Sequence, residues 1–231
     1  MSMEKTNIKL QPNGFYYEVP LLPEYLSRGA RVAITMGSLA SRLAQEERTR
    51  VHHPDGRAEN VAEHSFMLAK VSLSLFRTMK EYLPTDLDER GILIAAIGHD
   101  DPEAFILDTA TDRITEEGRR QKAIREVKGT TQLAIEFEGI DPEYAAAVVH
   151  YEKQLNANDR YVRMVDKLMT ILIHLYDDGD SLKTHFSKTE IIENAREHSV
   201  RFRQEYPDFE VISDLRDELV DFALDTYYPE A

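Results

Sequence analysis

The chain has 231 residues, a length that suits one domain with a sizeable core, and no Pro/Gly/Ser-rich linker or block of like charge divides it. Its formal charge of -14 at pH 7 and its pI near 5.0 exclude a protein that tracks a nucleic-acid polymer, because phosphate neutralisation needs a basic stripe and none is visible. A small anionic substrate is still allowed where a few cations line one pocket. Cysteine is absent, which removes disulfides, thiolate metal sites and thiol nucleophiles. The N-terminus, Met1-Ser2-Met3-Glu4-Lys5, has no apolar signal region, and the longest apolar run, Ile92 to Ile97, is too short to span a bilayer. A soluble, cytoplasmic protein with no membrane partner is the expectation.

The segment from Gly14 to Pro23, with Phe15-Tyr16-Tyr17, carries the weakest pattern, and its aromatics suit packing better than base stacking. His52-His53 followed by Pro54-Asp55-Gly56 predicts a turn in a surface loop. From Glu59 to Met79 an apolar stripe at Met67, Leu68, Val71, Leu75 and Met79 predicts a helix, and it places His64 one turn before Leu68 on the inward face. Ile92 to Ile97 is preceded by a helix start at Thr85 to Glu89, so His99-Asp100 closes a buried helix and Asp101-Pro102 restarts a short one carrying Glu103. Further helices are predicted over Ile114–Glu138, with an interruption at Gly118 or Gly129, and over Pro142–Lys153, Asp159–Tyr176, Thr189–Glu205 and Ser213–Thr226. The fold class is therefore all-α. A single domain over residues 1–231 is expected, its core at about 41–176 and the C-terminal helices packing on it.

Four separated residues carry the chemistry: His64, the pair His99-Asp100, and Asp166. Two imidazoles and two carboxylates suit one divalent cation that keeps positions open for water and phosphate. Each has a plainer reading when taken alone. His64 could be a hydrogen-bonded core histidine, and Asp100 a helix cap. Asp166 is harder to dismiss, because Val162, Met169 and Ile173 surround it on one helix face, where an unpaired charge costs several kcal/mol. It needs a partner, either a cation or one of Arg163 and Lys167.

Arg57-Ala58-Glu59-Asn60-Val61-Ala62-Glu63-His64-Ser65, then His99-Asp100-Asp101-Pro102-Glu103 with Asp108, then Val165-Asp166-Lys167-Leu168, resembles the HD-domain phosphohydrolases. Within them the chain is most similar to the bacterial 5'-deoxynucleotidases, over about Ser41 to Ile173. The resemblance implies an HD-type helical fold with one divalent metal on His64, His99, Asp100 and Asp166. It also implies that Glu103 and Asp108 work on the attacking water and the leaving group. The phosphate-binding arginine falls at Arg48 when anchored on Ser41-Arg42-Leu43, with Arg50 the competitor because one residue is inserted before Arg57. Lys122, in Arg119-Arg120-Gln121-Lys122, could reach a substrate phosphate across the mouth or simply balance Glu116 and Glu117 on a basic helix face.

The expected function is removal of phosphate from a (deoxy)nucleoside 5'-monophosphate, a small-molecule nucleotide substrate. The alternatives are a triphosphohydrolase of the same superfamily and a non-catalytic regulatory protein with a structural metal. Co, Mn, Mg, Zn, Fe and Ni all remain open as the metal, and relatives are commonly homodimers. Some relatives place a tryptophan beside the phosphate-binding arginine to exclude a ribose 2'-hydroxyl; this chain has no tryptophan and carries Thr49 there, which leaves the sugar preference open.

Overall fold

The computed structural model describes residues 22, 25–53, 55–106 and 116–229, and helices dominate them. Helix α1 (Arg28–Leu43) leads into a short antiparallel hairpin, β1 (Glu47–His52) and β2 (Ala58–Asn60). Then follow α2 (Val61–Met79), α3 (Glu89–Gly98), a 3-10 turn (Asp101–Phe105), α4 (Glu116–Glu138), α5 (Pro142–Lys153) and α6 (Ala157–Tyr176). The short α7 (Asp180–His185) precedes α8 (Lys188–Glu205) and α9 (Glu210–Tyr227). Among the described residues no helix is long and apolar enough to cross a membrane.

The hairpin corrects the expectation of a plain loop around His52-His53. Gly56 takes φ 82° at the turn, a left-handed conformation that glycine adopts without penalty. The flanking segments pair, Glu47 opposite Asn60 and His52 opposite Ala58, with an irregularity between the two pairs. Polar side chains at Glu47 and Arg48 masked the strand, since strand signals are read from apolar alternation. The expected helix over Glu59–Met79 accordingly begins later, at Val61, because Asn60 caps it and Glu59 belongs to β2.

That helix start is built with care for direction. The Asn60 side chain accepts from the Glu63 backbone N–H at 3.0 Å, and the Glu63 carboxylate accepts from the Asn60 N–H at 3.1 Å, a reciprocal capping box. Arg57 Nη1 donates to the same Glu63 oxygen at 2.9 Å and pulls its carboxyl down to about 2. Val61 is fully buried. Together these residues fix the chain direction one step before His64.

Helices α2, α3 and α6 pack on one another. Leu68, Ile92, Val162 and Val165 are fully buried among them, each contributing on the order of 1.5–3 kcal/mol over exposure. The buried Tyr161 Oη donates to the Ser72 carbonyl at 2.8 Å, tying α6 to α2. A second cluster joins Leu39 and Leu43 of α1 to Phe105 of the 3-10 turn, Leu133 and Phe137 of α4, and Val148 of α5. The C-terminal helices add a third around Leu182, Ile191 and Val220.

Glycine does not interrupt α4, which runs unbroken from Glu116 through Gly118 and Gly129. At Gly129 a Cβ would lie 2.8 Å from the Pro102 carbonyl oxygen. The glycine therefore serves close approach of the helix to the 3-10 turn rather than a break. The segment holding Asp108, and Phe15-Tyr16-Tyr17, lie outside the described residues.

Candidate metal centre

Each ligand candidate is delivered by the end or middle of a packed helix. His64 lies in the second turn of α2, His99 caps the C-terminus of α3, and Asp166 sits at the middle of α6. His64, His99 and Asp166 are all buried, and one ligand atom of each lies within 4.8 Å of the others. His64 Nε2 is 3.1 Å from Asp166 Oδ1, and the two imidazole centroids are 5.2 Å apart. Asp100 abuts this group of three, its Oδ2 2.9 Å from His99 Nε2.

The nitrogen atoms that face the group are suited to a cation. His99 Nδ1 donates to the Ala96 carbonyl at 3.0 Å, which puts the ring's lone pair on Nε2 when the imidazole is neutral. That Nε2 is buried and has no aligned hydrogen-bond partner among the described residues. Burial and the nearby Arg48 charge hold His64 below the usual imidazole range, which keeps it neutral, as ligation requires. On His99, burial pulls downward, but Asp100 and Asp166 outweigh it and the net shift is upward. Burial pushes Asp166 up, yet Lys167, His64 and His99 hold it well below the carboxylate range. Two imidazoles and an ionised carboxylate converging on one buried point form a donor set that fits a divalent ion.

Lys167 does pair with Asp166, Nζ to Oδ2 at 2.8 Å, whereas Arg163 turns away to stack over Tyr151 and approach Glu152 at 4.0 Å. Asp166 keeps its Oδ1 toward His64, so the lysine occupies only one of its two oxygens.

Arg48 projects from β1 toward the acidic residues of the site. Burial opposes its charge, but Asp100, Asp166, Glu59 and Glu103 outweigh burial and raise its pKa. Its Nη1 is buried with no hydrogen-bond partner among the described residues. Glu103 is half-buried in the 3-10 turn, and its backbone N–H donates to the Asp100 carbonyl at 2.9 Å, fixing the turn immediately beyond the ligand pair. Arg50 lies in β1 and Lys122 in α4; their side chains, like all of Asp108, lie outside the described part of the structure.

Two supports were not anticipated. Asp101 is buried, which pushes its carboxyl up to about 6 despite the hydrogen bond donated by Tyr144 Oη. That contact ties α5 to the turn bearing Glu103. Glu59 has no exposed surface at all; burial pushes it up to about 7 against the pull of Arg48 and His53. Its inward position follows the alternation within β2, where Ala58 and Asn60 on either side are only half-buried.

Residues 40–206 match the family model described as HD domain. The fold is similar to that of a solved structure described as a predicted metal-dependent phosphohydrolase from Magnetospirillum magnetotacticum MS-1, with 21% identity and a TM-score of 0.63, covering 87% of this chain and 98% of that one. It is also similar to a conserved hypothetical protein from Pyrococcus furiosus, with 22% identity and a TM-score of 0.54, covering 82% of this chain and 98% of that one. No curated protein matches the chain.

Proposed function

Because the chain belongs to the HD-domain family, we propose that it is a divalent-metal-dependent phosphohydrolase that removes phosphate from (deoxy)nucleoside 5'-monophosphates. The observation that carries this reading is the convergence of His64, His99 and Asp166 on one buried point, with Arg48 electrostatically coupled to the same carboxylates. The similar fold of the Magnetospirillum protein, itself described as a predicted metal-dependent phosphohydrolase, is consistent with it.

His64, His99 and Asp166, with Asp100 alongside, would hold the ion. When bound, such an ion supplies a Lewis acid for a phosphoryl oxygen and lowers the pKa of a nearby water. Arg48 offers the phosphate a buried Nη1 that has no hydrogen-bond partner among the described residues, and a guanidinium suits planar recognition of that group. Glu103, three residues beyond Asp100 on a turn pinned by its own backbone, orients the water and takes its proton. Asp108 is assigned to the leaving oxygen, which departs as an alcohol once protonated.

A screen of phosphate and triphosphate release from the common nucleotides, against several divalent metals, tests the assignment. Phosphate released from 5'-monophosphates in a metal-dependent manner is expected. Triphosphate release alone would favour the triphosphohydrolase, and no turnover in a protein that binds metal would favour a regulatory role.

A further inference from the structure

Glu59 is an unusual residue to find without surface exposure: it is charged in its common form, it is 0% exposed, and neither carboxylate oxygen has a hydrogen-bond partner among the described residues. Buried carboxylates are ordinarily hydrogen-bonded, because an unsatisfied one gives up its hydration with nothing in return. One oxygen, Oε2, faces two side-chain nitrogens. It lies 3.8 Å from His64 Nδ1 and 3.7 Å from Arg48 Nε.

The two histidines of the site differ in how the nitrogen facing away from the ligand group is provided for. His99 gives its Nδ1 proton to the Ala96 carbonyl at 3.0 Å. His64 Nδ1 is buried and has no hydrogen-bond partner among the described residues, and Glu59 is the carboxylate beside it. For His64 Nε2 to offer its lone pair to a cation, Nδ1 must carry the proton, and a carboxylate is the usual acceptor behind a metal-ligating imidazole. A closure of somewhat under 1 Å brings the 3.8 Å contact to hydrogen-bond length.

We propose that Glu59 is a positioning residue that accepts a hydrogen bond from the Nδ1–H of His64, fixing its tautomer for metal ligation, and that the same oxygen restrains the Arg48 guanidinium. This inference rests on the metal-dependent reading above. It links the metal site to the phosphate site through one atom, Oε2, which is carried on β2 just before the cap of α2. The bulged hairpin thereby acquires a purpose: it places Arg48 on one strand and Glu59 on the other.

The test uses the full chain loaded with zinc. In the parent, the His64 Nδ1 proton should appear as a low-field, slowly exchanging resonance, and its absence overturns the proposal however the variants behave. Glu59→Met keeps side-chain length but has no acceptor oxygen. It should lower zinc affinity, measured by chelator competition, about 10- to 100-fold. Glu59→Gln keeps an acceptor oxygen and should stay within about threefold of the parent in zinc affinity, a rescue by a hydrogen bond alone. Because the amide lacks the charge facing Arg48, that variant should still show a raised KM for a phosphomonoester. Equal zinc affinity in Glu59→Met and the parent, or equal losses in both variants, would overturn the proposal. A parent that binds no zinc, manganese or cobalt would instead overturn the metal-dependent reading, and this inference with it.

Discussion

Asp166→Asn is the sharpest probe of the metal centre, because it changes charge while keeping size. In the parent, the carboxylate meets His64 Nε2 at 3.1 Å and Lys167 Nζ at 2.8 Å in a buried position. The amide oxygen can still accept from either, and Lys167 is itself 37% exposed, so the variant should fold and lose little from the lysine pair. The affinity for a divalent ion should fall further than with a changed outer carboxylate, by about 100-fold or more. With cobalt at about 100 times the parent's dissociation constant, linkage stabilises the parent by about 2.7 kcal/mol. For a chain of this length that corresponds to a rise in thermal midpoint of roughly 5–11 °C. A 100-fold weaker variant keeps only about 0.4 kcal/mol at the same concentration, or roughly 1–2 °C. Thermal unfolding with chelator and with cobalt, beside direct metal analysis, reads both quantities. An equal midpoint rise in parent and variant would refute the ligand assignment.

Glu103→Gln should reduce turnover by about 100-fold while leaving the cobalt-dependent midpoint rise intact; near-normal turnover with normal metal content would remove Glu103 from the chemistry. Gly129→Ala should destabilise by about 1 kcal/mol in chemical denaturation, since overpacking against Pro102 outweighs the gain in helix propensity, and a stabilised variant would show that the turn yields freely. Burial and the neighbouring Arg216 push His198 down to about 4. The unfolded chain therefore takes up this proton near pH 6.5 and the folded chain does not until near 4. Stability should fall across that window as pH drops; the full shift would be worth about 3.4 kcal/mol, and solvent screening at this half-buried site cuts it to on the order of 2 kcal/mol. Denaturation of His198→Gln between pH 7 and 4 should show a shallower decline, and parallel curves would contradict the shift.

The ligand-bearing helices were legible because their apolar spacing and their chemistry agree. Val162, Met169 and Ile173 enclose Asp166 on α6, and the apolar run Ile92 to Ile97, which buries Ile92, Ala95 and Ala96 and leaves Ile94 and Ile97 exposed, leads to His99. The boundaries of α5 follow from Pro142 in the first turn and the reversal after Lys153, where Gln154 takes a left-handed conformation. What stayed hidden depends on partners distant in the chain. Gly129 reads as a helix breaker until Pro102 is placed against it, and Asp101 reads as a cap until Tyr144, 43 positions away, is seen to donate to it. Glu59 is polar on a strand too short for a two-residue period to register. The six-residue α7 is likewise shorter than the window from which helical periodicity is read.

His64 and Asp166 are 102 positions apart and meet only when α2 and α6 are assembled. A bond through an ion between them would close most of the helical core into one loop. In chain-entropy terms a crosslink over about 100 residues removes on the order of 4–5 kcal/mol of freedom from the unfolded ensemble. A protein with no cysteine would thus possess a removable staple, set and released by the supply of a cation rather than by redox state. Scarcity of that cation would shorten the protein's lifetime against proteases as well as slow its reaction.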